Sequence, residues 1–164
     1  MITVEFNDAE VLSALDRVAR AVTDMTPVME DIGEEMVDTT KNRFVTGTSP
    51  DGSAWAPKSA ATIAAYERRD DPVDMRPLWG PTGDLHSNFA WEAGPGEVSW
   101  GTNVIYAAVQ HFGAAQGAFG RSSRGGPIPW GAIPARPFMG VSEEDRSGIL
   151  AALEDWLTQA WDPS

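Results

Sequence analysis

The fold is organised around residues 26–47, which read TPVMEDIGEEMVDTTKNRFVTG. Pro27 favours a helix start, because proline at the first helical position loses no hydrogen bond. Apolar side chains then recur at helical spacing, at Val28, Ile32, Met36 and Phe44. Gly47 can adopt the left-handed conformation that ends many helices. These residues predict one long helix with a buried edge, which ends before Gly47.

Two further helices are predicted near the two ends of the chain. The first begins after Asn7 or Asp8, either of which can cap a helix. Its apolar stripe comprises Val11, Leu12, Leu15, Val18, Ala19 and Val22. The last begins at Ser142, which resembles a capping box with Asp145 in the glutamate position. Its apolar stripe comprises Ile149, Leu150, Leu153, Trp156, Leu157 and Ala160. Shorter helices are predicted over residues 60–69 and 105–112.

Extended segments complete the prediction. Alternating apolar residues predict strands over residues 2–6 and 137–139. A β-hairpin is predicted around Gly94-Pro95-Gly96. Its alternating aromatic and apolar residues are Phe89, Trp91, Val98 and Trp100. The sum is an α+β fold in a single domain of residues 1–164: an antiparallel sheet with a β-hairpin, covered by two or three long helices.

Stretches rich in glycine and proline predict turns and loops. Ser49-Pro50-Asp51-Gly52 is typical of a tight turn, since proline fixes φ and glycine accepts a positive φ. Residues 70–83 hold three prolines and show no periodicity. Residues 113–135 hold six glycines, with Arg121 and Arg124 near the middle. A loop of that length in a compact domain is usually functional or disordered, so we predict a long flexible Gly-rich loop.

Composition restricts the classes of function. The chain has 24 acidic and 12 basic residues, a formal net charge of -12, and no cysteine. Disulfides, thiolate zinc sites and cysteine nucleophiles are thereby excluded, as expected for maturation in a reducing cytosol. So acidic a chain should not bind nucleic acid over a broad face, because phosphates require lysine and arginine. We expect a soluble protein, since no signal peptide and no apolar run of membrane-spanning length is present.

The catalytic motifs of common enzymes are missing from the sequence. His86 and His111 are far apart and lack a surrounding motif, so a structural role is predicted for both. Zinc-protease, phosphate-loop and nucleophile-elbow patterns do not occur. Residues 47–52 resemble a calcium loop only faintly, because the alternating acids and the distal glutamate are missing. Three aspartates are balanced by neighbouring arginines: Asp70, Asp71 and Asp74 by Arg68, Arg69 and Arg76. We therefore predict no catalytic residue, no cofactor and no metal.

Four segments, read in order, carry a resemblance to a known family. They are Phe44-x-x-Gly47-x-x-Pro50-Asp51-Gly52-x-x-Trp55-x-Pro57, Thr82-Gly83-x-Leu85, Gly101-Thr102-Asn103-x-x-Tyr106-Ala107-x-x-Gln110-His111-Phe112-Gly113, and Ile133-Pro134-Ala135-Arg136-Pro137-Phe138-Met139-Gly140. The ordered set resembles the phage virion morphogenesis family, the Mu-like tail-completion proteins of tailed phages and prophages. Residues 77–81 and the Gly-rich insert depart from the family pattern.

The resemblance implies a non-enzymatic structural protein of the phage neck or tail. Such a protein acts in tail completion and head–tail joining, as a homo-oligomeric ring through which DNA passes without specific binding; a hexamer is one candidate. Its implied partners are its own copies, neck or connector proteins and tail tube proteins, with no membrane. It would be assembled in the host cytoplasm and reside in the virion. The alternatives are a minor tail protein below the neck and, from a different class, a small cytosolic hydrolase.

The predicted assembly interface combines three parts of the chain: an extended unit, the Gly-rich loop and an acidic helix face. Arg136 lies between two prolines in a stiff extended unit with backbone groups free at one edge, and it contacts a carboxylate either across a subunit boundary or within the subunit. The Gly-rich loop would be ordered by a neighbour. An acidic helix face would line a DNA lumen or dock on a neighbour, or else remain simply solvated. The predicted residues are Arg136, Phe138, Arg121, Arg124, Trp130, Glu30, Glu34, Glu35 and Asp38.

Overall fold

A computed structural model describes residues 8–162, so the strand predicted over residues 2–6 lies outside the described residues. In chain order the elements are α1 (Ala9–Thr23), α2 (Thr26–Thr46), α3 (Ala60–Arg68), α4 (Asp84–Ser87), β1 (Ala90–Ala93), β2 (Val98–Gly101), α5 (Ala107–Phe112) and α6 (Glu143–Trp161). The α+β fold predicted from the sequence is confirmed. Within this part of the chain, no helix is both long and apolar enough to span a membrane.

Helix α2 is the central element, and its predicted limits and buried edge are confirmed. It has proline in its first turn and ends at Gly47, where φ is 71°. The side chains along its inner edge are buried: Val28, Met29, Ile32, Met36, Val37, Thr40, Arg43 and Phe44. This edge contributes to two separate hydrophobic clusters, one around each half of the helix.

The first cluster joins the first half of α2 to the hairpin and α6. Strands β1 and β2 pair antiparallel, with Trp91 opposite Trp100, as the alternation of the sequence predicts. A Cβ atom on Gly33 would lie only 2.9 Å from the Trp91 ring, so a glycine at this position allows the strand to approach the helix. The partly buried side chains of Ile149, Leu153 and Trp156 on α6 pack against the same cluster.

The second cluster is aromatic and surrounds the last turns of α2. Phe44 is fully buried, and its ring centroid lies 5.5 Å from Trp55 and 5.3 Å from Phe138. The predicted turn precedes Trp55: the N–H of Gly52 donates to the Ser49 carbonyl at 2.9 Å, and Gly52 has a φ of 81°. The Phe44 and Trp55 rings meet edge to face, and such aromatic pairs add stability beyond the buried area.

The strand predicted over residues 137–139 is wrong, because this segment is extended but belongs to no ladder. Its backbone groups are satisfied by side chains instead. The N–H groups of Phe138 and Met139 donate to His111 Nδ1 at 3.3 and 3.4 Å. The carbonyls of Pro137 and Phe138 accept hydrogen bonds of 2.9 Å from Trp55 Nε1 and Arg43 Nη1. The edge that we expected to be free is therefore used inside the subunit.

Helices α1 and α6 form an outer antiparallel pair. The capping box at the start of α6 is confirmed, since Asp145 N donates to Ser142 Oγ at 3.1 Å and Ser142 N donates back to the Asp145 carboxylate at 2.7 Å. Helix α1 has the predicted length, but its apolar stripe is largely exposed. Ala14 is buried, whereas Leu12 and Leu15 are 56% and 51% exposed. The apolar periodicity predicted the helix correctly, but it did not show that most of the apolar stripe is exposed on the described subunit.

Candidate assembly interface

Arg136 is buried and directed into its own subunit. Its Nε donates to the Ala56 carbonyl at 2.8 Å and its Nη2 to the Pro57 carbonyl at 2.9 Å. Burial lowers the pKa of this guanidinium. Among the ion pairs of residues 8–162, none includes Arg136. The residue thus ties two irregular segments together through carbonyls, in place of either carboxylate contact expected from the sequence.

Phe138 belongs to the core rather than to an exposed surface. Its side chain is 1% exposed, and its ring centroid lies 5.0 Å from His111 and 5.9 Å from Phe89. A residue buried to this degree offers no surface to another subunit. The predicted interface role of Phe138 is therefore revised to support of the aromatic cluster.

A buried ion pair that the sequence analysis missed joins α2 to α6. Arg43 Nη2 donates to the carboxylate of Asp145, and both side chains are less than a tenth exposed. Arg43 Nη1 also donates to the Gly140 carbonyl at 2.9 Å. Burial alone would raise the pKa of Asp145, but hydrogen bonds from Ser142 and the charge of Arg43 lower it overall. Arg43 falls on the buried edge of the predicted helix, and a buried arginine there already requires an acidic or carbonyl partner.

Lys58 is a second polar residue that the sequence analysis missed. Its Nζ donates to the carbonyls of Asp74 and Trp79 at 2.6 and 2.8 Å, and also to the carbonyl of Arg76. These bonds hold the proline-rich segment of residues 70–83 against the body. Hydrogen bonds from Arg76 lower the pKa of Asp74 to about 2, and Asp71 pairs with Arg69 at 2.7 Å. Both aspartates have the arginine partners predicted for them, and the described residues contain no cluster that could hold a metal ion.

The Gly-rich segment forms an irregular hairpin, which we call the arm (residues 114–133). At its base, Ala114 and Ile133 exchange backbone hydrogen bonds of 2.9 and 2.8 Å. Farther out, Phe119 N donates to the Ile128 carbonyl and Ser122 N to the Gly126 carbonyl, both at 2.8 Å. None of these twenty positions is buried. The predicted long flexible Gly-rich loop is not confirmed, and paired backbone groups run along most of the segment.

The arm combines positive charge with exposed aromatic rings. Trp130 is 81% exposed and Phe119 56% exposed. Arg121 and Arg124 are also exposed, and residues 114–133 contain no aspartate or glutamate. Tryptophan and arginine are the residue types most enriched at protein interfaces and their hot spots. The arm is therefore a cationic, apolar surface on a strongly acidic chain.

The four predicted acids lie on the exposed face of α2, opposite its buried edge. Glu30, Glu34 and Asp38 follow one another at four-residue spacing, as predicted. Glu35 lies beside α6, where its Oε1 would be 2.9 Å from a Cβ atom on Gly148. The structure thus brings the acids together on one face, and within residues 8–162 no ion pair links them to the arm.

Comparison with known proteins shows which family the sequence matches. The sequence model of the phage virion morphogenesis family matches residues 6–158. The chain belongs to the phage virion morphogenesis family. A relative, the Mu-like prophage FluMu G protein 2 of Haemophilus influenzae, is 32% identical over 159 residues, which cover 96% of each chain. No solved structure gives a significant match.

Membership in the phage virion morphogenesis family confirms the resemblance found in the sequence. The matched residues extend from the segment before α1 well into α6, so they include the arm and the acidic face of α2. The chain is accordingly a bacteriophage morphogenesis protein associated with the virion.

Proposed function

We propose that this family member is a non-enzymatic ring subunit of the phage neck or tail, which acts in tail completion and head–tail joining. The observation that carries the proposal is the arm, a cationic and aromatic surface that projects from an acidic chain. Such a surface is suited to binding protein, because exposed aromatic rings gain most when a partner removes them from water.

The polar groups in the interior support a structural rather than a catalytic role. Arg43, Lys58 and Arg136 each donate to backbone carbonyls of their own subunit. Asp145 is occupied by a helix cap and by Arg43. The buried and half-buried groups best suited to stabilise a charged intermediate are thus used to hold irregular segments in place.

The acidic face of α2 suits a ring through which DNA passes. Aspartate and glutamate repel phosphates. DNA would therefore pass without binding through a lumen lined by Glu30, Glu34 and Asp38. The same acids could instead dock on a more basic neck or tube protein with salt-sensitive association. In either arrangement we infer that this face has a role beyond solubility.

The proposal is tested by removing the chain from the phage. A phage or prophage with an early stop codon in the gene is induced, and the lysate is viewed by negative-stain electron microscopy. We expect separate heads and tails, with joined particles restored by the wild-type chain supplied from a plasmid. Joined, infectious particles without complementation would refute the proposed function. Heads joined to defective tails would instead place the chain below the neck, as a minor tail protein.

A further inference from the structure

Helices α1 and α6 expose an apolar face that no other described part of the subunit covers. Helix α1 is attached to the body mainly through α6, with Arg17 Nε donating to the Ala160 carbonyl at 3.1 Å and Trp156 Nε1 to the Ala21 carbonyl at 3.3 Å. Large apolar side chains on the pair are between 38% and 56% exposed. We define the apolar face by these residues: Val11, Leu12, Leu15, Val22, Leu157 and Trp161.

Helical geometry places the two halves of the apolar face on the same side. At 3.6 residues per turn, Leu15 and Val22 lie roughly 90° around α1 from Ala14 and Ala21, which face α6. On α6, Leu157 and Trp161 lie roughly 90° and 130° around the helix from the centre of the face that packs on α2. Because the two helices run antiparallel and each stripe is offset in the same rotational sense from the residues that contact the other helix, the two stripes lie on the same side of the pair. An apolar surface of this extent on a soluble domain usually marks a binding site.

The surroundings of the apolar face are acidic. Residues 8–24 contain four acids and two arginines, and residues 143–162 contain six acids and one arginine. Asp16 pairs with Arg20, and Arg17 bonds to carbonyls at the end of α6. A partner for this surface should therefore be apolar at its centre and positively charged around it.

The arm has this complementary character. Phe119, Ile128 and Trp130 are exposed on it, beside Arg121 and Arg124. It projects from the aromatic cluster at the far end of α2, whereas the apolar face lies beyond α6. One copy can thus present the arm to one neighbour and the apolar face to another. Such a head-to-tail contact generates a ring if the rotation between copies closes.

We propose that the arm of one copy docks on the apolar face of the next copy. This inference rests on the proposed ring and names the contact that builds it. A two-fold dimer through the apolar face would place two acidic surfaces against each other, which is unfavourable. The acidic face of α2 is a poorer acceptor, because Trp130 and Phe119 would be desolvated against carboxylates there.

Cysteine cross-linking of the full chain tests this contact, since the natural sequence has no cysteine. Ser123 is exposed on the arm and Leu15 is half-exposed on the apolar face, so both sites tolerate substitution. The double variant Ser123→Cys, Leu15→Cys is treated with a short bismaleimide at high protein concentration and run on a denaturing gel. We expect a ladder of covalent dimers, trimers and higher oligomers. Adding Trp130→Ser should reduce the ladder at least several-fold.

The controls distinguish the other arrangements. Each single-cysteine variant and the pair Ser123→Cys, Glu34→Cys should stay monomeric on the gel. Dimers of Leu15→Cys alone would show that the apolar face pairs with itself, and a ladder from the Glu34→Cys pair would place the arm on α2. Either result, or a monomeric double variant that circular dichroism shows to be folded, would overturn the contact. None of these results would alter the lysate experiment, so failure of the contact and failure of the proposed function are separable.

Discussion

Around the last turns of α2, buried and half-buried cationic side chains donate hydrogen bonds of the kind that a larger sheet would supply. The segments near Ala56, Trp79 and Phe138 belong to no strand, and their carbonyls accept side-chain hydrogen bonds at buried or partly buried positions. Buried carbonyls need donors, and the long side chains of Arg43 and Lys58 reach several of them at once. Single residues therefore determine the geometry of this half of the molecule.

Replacing Arg43 should be strongly destabilising. Arg43→Met leaves the buried Asp145 carboxylate without its charge partner and removes the Arg43 donor from the Phe138 and Gly140 carbonyls, so we expect a loss of about 3–5 kcal/mol in the free energy of unfolding. The matched control is Arg20→Met, which breaks the ion pair between Arg20 and Asp16. The Arg20 side chain is 76% exposed and the Asp16 side chain 65% exposed. That loss should be below about 1 kcal/mol. Urea unfolding measures both, and similar small losses would contradict the structural role of Arg43.

His111 should make stability depend on pH. Its Nδ1 accepts the N–H groups of Phe138 and Met139, and burial lowers its pKa below the ordinary 6.5. As the pH falls, His111 is therefore protonated at a higher pH in the unfolded chain than in the folded chain. The resulting stability is complete above pH 6.5 and is lost as the pH falls below it toward the lower pKa of the folded state.

The variant His111→Asn isolates this contribution. Asparagine can offer its Oδ1 as an acceptor near the position of Nδ1, but it does not titrate. Urea unfolding at pH 7.5 and pH 5 should show a smaller loss of stability in the variant than in the natural chain. Burial also lowers the pKa of His86, so a residual loss from that residue is expected in both proteins. An equal loss in the two proteins would show that His111 does not contribute.

Among the elements, those specified by nearby residues were predictable from the sequence. Helix α2 follows from Pro27, its periodic apolar residues and Gly47, and the start of α6 follows from Ser142 and Asp145. The β-hairpin likewise follows from local alternation and a glycine-rich turn. In each case the signals lie within one element, so no knowledge of distant contacts was needed.

Predictions failed where the outcome depends on residues far apart in the chain. Arg136 bonds to Ala56, 80 residues away, and a carboxylate partner could not be distinguished from carbonyls by spacing. Residues 137–139 are extended without a ladder because side chains of α2 and α5 satisfy them. The apolar stripe of α1 indicated which face of the helix is apolar. That face is buried only where another element packs on it, and most of it is exposed.

The arm should change its dynamics on assembly. Its backbone pairs are exposed and have few packed side chains around them, which is typical of segments that open readily. In the free chain we expect amide hydrogens of Phe119 and Ser122 to exchange much faster than those of Met36 in α2. In assembled particles their protection should rise at least tenfold. Hydrogen exchange with mass spectrometry measures both states, and equal, strong protection in both would rule out ordering by a neighbour.

For the whole molecule, charge and apolar surface are distributed unequally. The body is strongly acidic and exposes apolar residues on α1 and α6, whereas the arm is cationic and aromatic. These surfaces lie on different parts of one subunit, so they cannot satisfy each other within it.

The proposed ring around the DNA path is tested by a cryo-electron microscopy map of the intact virion in which this chain is located. We predict a closed ring of copies at the head-proximal end of the tail, with each arm on the apolar face of the next copy. Glu30, Glu34 and Asp38 should face the lumen or an adjoining protein ring. A particle that lacks the chain, or a ring in which these three acids all face bulk solvent on its exterior, would contradict the account.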